Sequence, residues 1–470
     1  MDESLGFAAG PSSQKVGPIA VFLLALLLLP AHGALAQSAG SSVAVPSGIL
    51  YYVPITIENT QPIPTSAPFQ QLLTVDSASY SSIEASNLQN VEFFDAGGNV
   101  VPSWLESGDS NLATGTVYWL LLGSGIPGDS QAYVYMGFGS VNVNLFNSLV
   151  TGEAPQLSPV YGEYDDGARV FGFYDNFAGN ALNPMWSTYL QSGESITVSN
   201  GATFTSLYKT STTIYSRSVV SSTQWLEAYV SSESGTGQYD ALMYSLTPPT
   251  AAPPYTSFNW LGYTDAYGAA DANGVSRDLL KVVGGSETIL TSAPSYAAPF
   301  ISQLAWPTSG SETEMINYGN SLSSNDNSFA STNCIVSFSS YGNDGSGTVS
   351  LNWIRQREYP PNGVMPMTVL GAPTPIVTTT VTQTVTTTLT STQTIMQTST
   401  QTIIQATTMT IISTATVPTT TTTATTSSTT ATVTTTTTAS TYAYVSLGVT
   451  AIVVLIVVAL AAWVLRGRRP

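Results

Sequence analysis

Histidine is all but missing from this 470-residue sequence, and its one copy, His32, lies just past the first apolar stretch. Cysteine occurs once, at Cys334. Downstream of residue 36 these two scarcities exclude a Ser-His-Asp triad, a histidine zinc site and an internal disulfide. Cys334, in "NCIVSF", reads as a small core residue, with intermolecular pairing the alternative. No G-x-x-x-x-G-K-S/T phosphate loop occurs. Asn-X-Ser/Thr is absent as well, so any glycan would be O-linked. Charge is sparse, at 8% of residues, and mostly of one sign. Between residues 37 and 441 stand 26 Asp and Glu against seven Lys and Arg. That balance repels nucleic acid. A surface so poor in charge must be Ser, Thr, Asn, Gln and Tyr, and its carboxylates would discharge in acid.

Long apolar runs occur only at the two ends. Lys15 precedes the apolar stretch 16–29, and Ala34 and Ala36 place small residues before Gln37. This pattern predicts a secretory signal peptide over 1–36. An uncharged apolar run covers 443–465, edged by Tyr442 and Tyr444 on one side and Trp463 on the other, with Arg466, Arg468 and Arg469 following. A helix there is long enough to cross the bilayer, and the arginines predict a cytoplasmic tail over 466–470. The expected location is the cell membrane, single-pass, with the large N-terminal part outside.

Residues 373–441 form a threonine-rich tract that carries no charge. Its apolar side chains are too few for a core, so it reads as a disordered, O-glycosylated stalk. Leu389, Met396 and Ile403 recur every seven residues, which leaves a coiled-coil stalk as an alternative.

Residues 45–372 lack a sustained 3.6-residue pattern. Short alternating runs such as "YYVPITIEN", "TVYWLLLGSG", "WLEAYVSS" and "TVSLNWIRQ" lie between Gly, Pro and Asn clusters. The predicted fold is all-β, two consecutive β-sandwiches at 45–150 and 170–372 joined by a linker over 151–169, followed by the stalk and one transmembrane helix at 442–465.

Tyr52-Val53-Pro54-Ile55-Thr56-Ile57 resembles the Y-x-x-P-I-T-I opening of a domain-of-unknown-function family found in archaeal and bacterial surface proteins. Val91 to Asp95, Pro102-Ser103-Trp104-Leu105-Glu106, Ile126-Pro127-Gly128 and Tyr133 to Gly137 follow in that family's order, with Val53 where a basic residue is usual. Phe173-Tyr174-Asp175-Asn176-Phe177 with Leu182 and Trp186, and later "VSLNWIRQREY", resemble the first and last strands of concanavalin A-like lectin/glucanase domains. The resemblance implies a jelly-roll second module and an archaeal-type envelope protein. Asp175 and Trp186 read as a turn acceptor and a core aromatic.

Trp225, Glu227 and Tyr229 share one strand face, and Leu226, Ala228 and Val230 share the other. With the aliphatic face inward, the aromatic and carboxylate row would face out as a carbohydrate-binding surface, joined by Asp265 and Tyr267 of "TDAYG"; core placement of Trp225 and Tyr229 is the alternative. No E-x-D-x-x-E run marks a glycoside hydrolase, and no catalytic residue is assigned. No cofactor is required. An oxygen-built metal site would suit Ca²⁺, with Asp165, Asp166 and Asp175 as its candidate ligands. The functional expectation is carbohydrate binding or adhesion at the cell surface, the partner being a polysaccharide or glycoprotein. The alternatives are a structural component that contacts surface-layer proteins, and a glycoside hydrolase.

Overall fold

The computed structural model describes residues 43–235, 238–249, 263–307, 312–329, 333–387 and 429–439. The expected signal peptide, coiled-coil heptads and membrane span lie outside these residues. Among the described residues no helix is long and apolar enough to cross a membrane.

The first sandwich stacks two sheets. One runs through Met367–Leu370, Tyr51–Asn59, Ser130–Phe138, Val91–Phe94 and Val100–Val101. The other runs through Phe69–Val75, Thr116–Leu122, Ser103–Ser107 and Thr151–Glu153. Alternation in "YYVPITIEN" is the local cause. Val53, Ile55 and Ile57 are fully buried, while Pro54, Thr56 and Glu58 stand on the opposite face. In the Ile126-Pro127-Gly128 turn, the Asn59 amide donates to the carbonyls of Ile126 and Pro127. A Cβ on Gly128 would lie 2.3 Å from Pro62 O, so only glycine fits there.

Two features shift the expected boundaries. Thr151–Glu153 pairs with Ser103–Ser107, which extends the first sandwich into the expected linker. Met367–Leu370 and Thr374–Pro375 pair with Tyr51–Asn59. The chain therefore completes the second sandwich and returns to close the edge of the first.

The second sandwich is a jelly-roll of two eight-stranded antiparallel sheets, each with seven strands in line and an eighth beside them: Phe173–Asp175 pairs with Gly347–Arg357 in the front sheet and Val220–Ser221 with Asn333–Gly342 in the back. Its front sheet runs through Ser195–Val198, Ala202–Ser206, Gly347–Arg357, Trp225–Ser234, Phe300–Ala305, Glu312–Ile316 and Gly319–Ser324. Its back sheet runs through Trp186–Leu190, Ser211–Ser216, Asn333–Gly342, Gln238–Ser245, Ala266–Ala272, Ser276–Val283 and Ser286–Ala293. Leu226, Ala228 and Val230 of the front sheet meet Leu242, Tyr244, Val336 and Phe338 of the back sheet in one core, and Cys334 is part of it. The threonine-rich tract, expected to be disordered, contributes a separate two-stranded sheet, Val377–Thr387 with Thr429–Ala439.

Candidate functional site

Trp225, Glu227 and Tyr229 point away from the core of the second sandwich, but the first sandwich covers that face. The covering residues come from "PSWLE", whose alternation puts Trp104 and Glu106 on one side of their strand. Opposite them, Trp353, Arg355 and Arg357 occupy alternate positions of "LNWIRQR" in the front sheet. Arg355 is fully buried. Its Nε donates to Glu227 Oε2 at 2.7 Å, and its Nη2 donates to Glu106 Oε2 at 2.6 Å. Arg357 Nε donates to the other Glu227 oxygen at 2.7 Å, as does Gln303 Nε2 at 2.7 Å.

Aromatic rings complete the joint. The Arg355 guanidinium lies 4.3 Å from the Trp353 ring centre, 4.4 Å from Phe171 and 5.0 Å from both Trp104 and Trp119. Burial works against the charge on Glu227, yet Arg357 and Arg355 hold its carboxyl below the usual carboxylate range. Tyr229 stacks on Trp353 at 5.7 Å, and Trp225 stacks on Tyr359 at 5.7 Å. The expected ligand row is thus a joint between modules, because two sheet faces of matching charge and aromatic content bury each other here. The W-x-R-x-R alternation was its signal in the sequence, in a region with only seven basic residues.

Asp265 and Tyr267 do not join that row. Tyr267 is buried in the core against Trp306, with its hydroxyl donating to Asp326 at 2.6 Å. Asp265 accepts from the Gly284 amide at 2.9 Å, a turn role. The expected calcium ligands likewise serve the fold. Asp165 accepts from Trp104 Nε1, Tyr174 OH, Asn176 Nδ2 and the Gly167 amide. Asp175 accepts from the Phe177 amide and from Trp186 Nε1 at 2.6 Å. With two of the three carboxylates spent on protein donors, Asp165, Asp166 and Asp175 do not gather into a metal site.

A groove of about 490 Å³ opens beside Phe173 in the second sandwich. Phe173, Met185 and Val220 give it apolar walls, while Ser218, Ser221, Gln224 and Gln356 line it with hydroxyls and amides. Gln356 is held in place, donating to Ser221 O at 3.0 Å and to Tyr244 OH at 2.6 Å. Ser218 is exposed at the rim. None of the lining residues is charged. The groove can therefore stack against an apolar surface and exchange hydrogen bonds around it, but it holds no acid-base pair. Nothing in the local sequence announced it, because its lining is drawn from four separate segments.

No family model matches the chain. Over 125 residues the chain is 39% identical to uncharacterized protein 562 of Sulfolobus islandicus rod-shaped virus 1, an alignment covering 26% of this chain and 21% of that protein. The chain thus spans about a fifth of the length of the curated relative it matches. Among solved structures, the Bacillus licheniformis β-glucanase aligns at 11% identity over 40% of this chain and 97% of its own, with a TM-score of 0.31. LamAcat from Zobellia galactanivorans aligns at 10% identity over 40% and 97%, with a TM-score of 0.32. The carbohydrate-binding module CBM66 from Bacillus subtilis aligns at 10% identity over 37% and 96%, with a TM-score of 0.28.

Proposed function

We infer that the chain is a single-pass surface protein whose two-sandwich head binds carbohydrate through the groove beside Phe173. The groove itself carries this reading. A sugar presents an apolar ring face edged by hydroxyls, and the apolar walls of Phe173 and Met185 ringed by Ser218, Ser221 and Gln224 match that pattern. Signal peptide, threonine-rich stalk and apolar C-terminal run support display outside the membrane. Hydrolysis would need two carboxylates roughly 5 to 9.5 Å apart, and the groove lining supplies none.

The full-length chain, tested against a glycan array, should retain a polysaccharide. Ser218→Trp should fill the groove and weaken that binding at least about tenfold, about 1.4 kcal/mol, with no change in unfolding temperature. Binding indifferent to Ser218→Trp, or no glycan bound at all, would remove the reading. A second reading, a structural surface component, is favoured by the joint at Arg355 and by the return of 367–375 to the first sandwich, which tie both modules into one head. Retention of envelope proteins without glycan would support it.

A further inference from the structure

At one end of the second sandwich, Asp240 and Asp271 are direct cross-strand partners in the back sheet. Glu233 approaches them from the front sheet, and one carboxylate oxygen from each of the three lies within 4.8 Å of the others. Asp240 is 2% exposed and Asp271 4%, whereas Glu233 is half-buried and leaves a way in from solvent. Glu233 and Asp240 hydrogen-bond each other, but neither oxygen of Glu233 meets an N–H or hydroxyl donor, and the same holds for Asp240 Oδ1 and Asp271 Oδ1. The nearest cation is already engaged: Arg277, opposite Asp271, pairs with Glu314 at 3.4 Å and donates to Asn320 O. Asp278, on the neighbouring strand, accepts from Ser276 and Ser292. Three carboxylates at this separation repel one another with no positive group between them.

A separate, uncharged side chain points the same way. Gln238 lies two residues before Asp240 on the same face and is 1% exposed, and its Oε1 also meets no donor. Its Nε2 is spent on Ser340 at 2.6 Å, which fixes the carbonyl oxygen toward the end of the Trp225–Ser234 strand. That oxygen and Ser234 O border the spot a Cβ on Gly347 would take, at 2.3 Å and 2.4 Å. An amide carbonyl cannot share a proton as a carboxylate can, so its unmet acceptor calls for a cation or a donor from outside the chain.

We propose that Glu233, Asp240 and Asp271, with Gln238 Oε1 at the edge, form a calcium site that ties the two sheets of the second sandwich together. Oxygens bound to one Ca²⁺ at about 2.3–2.6 Å lie no more than about 5 Å apart, which suits this group. The ion offsets the negative charge that the three carboxylates gather there and answers the unmet oxygens. Its role is structural, since it sits between the sheets and apart from the groove.

The test is calorimetric titration of the full-length chain with CaCl₂ at pH 8, together with thermal unfolding in CaCl₂ and in EDTA. One ion should bind, and its removal should lower the unfolding temperature by several degrees. Glu233→Gln and Asp240→Asn, on opposite sheets, should each weaken binding at least tenfold and abolish the EDTA effect. Two such variants guard against a single folding failure. No calcium binding by the wild-type chain, or equal binding by a folded Glu233→Gln or Asp240→Asn protein, would overturn the proposal.

Discussion

Two places in this molecule bury several charges, and they resolve the cost in opposite ways. At the joint, Arg355 and Arg357 face Glu106 and Glu227, and aromatic rings surround them. Glu106 Oε2 also accepts from Trp119 Nε1 and Glu227 Oε1 from Gln303 Nε2, and Glu227 stays ionised. At the sandwich end, Glu233, Asp240 and Asp271 have no arginine of their own. Burial, with the charges of its neighbours, pushes Glu233 up to about 7, and burial likewise pushes Asp271 to about 7 and Asp240 above the carboxylate range. A buried charge persists when a partner of opposite sign reaches it, from its own sheet or from the facing one, and otherwise it must take a proton or an outside cation.

The largest expected effect breaks the first half of that comparison. Arg355→Met keeps the packing volume but strands Glu106 and leaves Glu227 with Arg357 alone, which should cost roughly 3–5 kcal/mol in chemical denaturation. A loss below about 1 kcal/mol would mean that ring packing alone holds the modules together. Adding Glu106→Gln to that variant should recover part of the loss, because the stranded charge is gone.

Acidity tests the second half on groups outside the calcium site. Burial, assisted by the charge of Asp76 and opposed by Ser77, raises Glu84 to about 7 in the first sandwich. Burial also raises Glu153 to about 7, with Asp109, Glu163 and Asp165 adding to the shift. Both folded values exceed those of the unfolded chain, near 4.5. Their contribution is therefore complete below about pH 4.5 and is lost as pH rises through about 7. The unfolding temperature should fall by several degrees between pH 5 and pH 8, and Glu84→Gln should flatten the slope. A profile that rises over this range would contradict the burial of these acids.

The smallest effect sharpens the contrast. In EDTA at pH 8, Asp240→Asn removes a buried acid that folding must hold protonated beside Glu233 and Asp271, and should raise stability by up to about 1 kcal/mol. The same change at the joint, Glu227→Gln, should lower stability, since it unpairs Arg357 and leaves Arg355 with Glu106 alone. Thermal unfolding of the two variants side by side measures the difference, and the same sign in both would erase the distinction.

Much of the architecture was legible in the sequence. Alternation in "YYVPITIEN" and "WLEAYV" assigns strands and sorts each side chain to one of two faces, because successive Cβ atoms point to opposite sides of a sheet. The aliphatic face of "WLEAYV" does enter the core. Composition alone removed histidine and disulfide chemistry, since a residue that is absent cannot act. What covers the other face of a strand is not a local property. Trp225, Glu227 and Tyr229 look the same in sequence whether water, a sugar or a second sandwich lies over them; only the fold brought Trp104 and Glu106 across to meet them. The pairing of Asp240 with Asp271, the return of Met367–Leu370 to the first sheet and the groove beside Phe173 were decided in the same way. Each joins residues far apart along the chain, and their contact depends on strand order and register, which sequence periodicity leaves open.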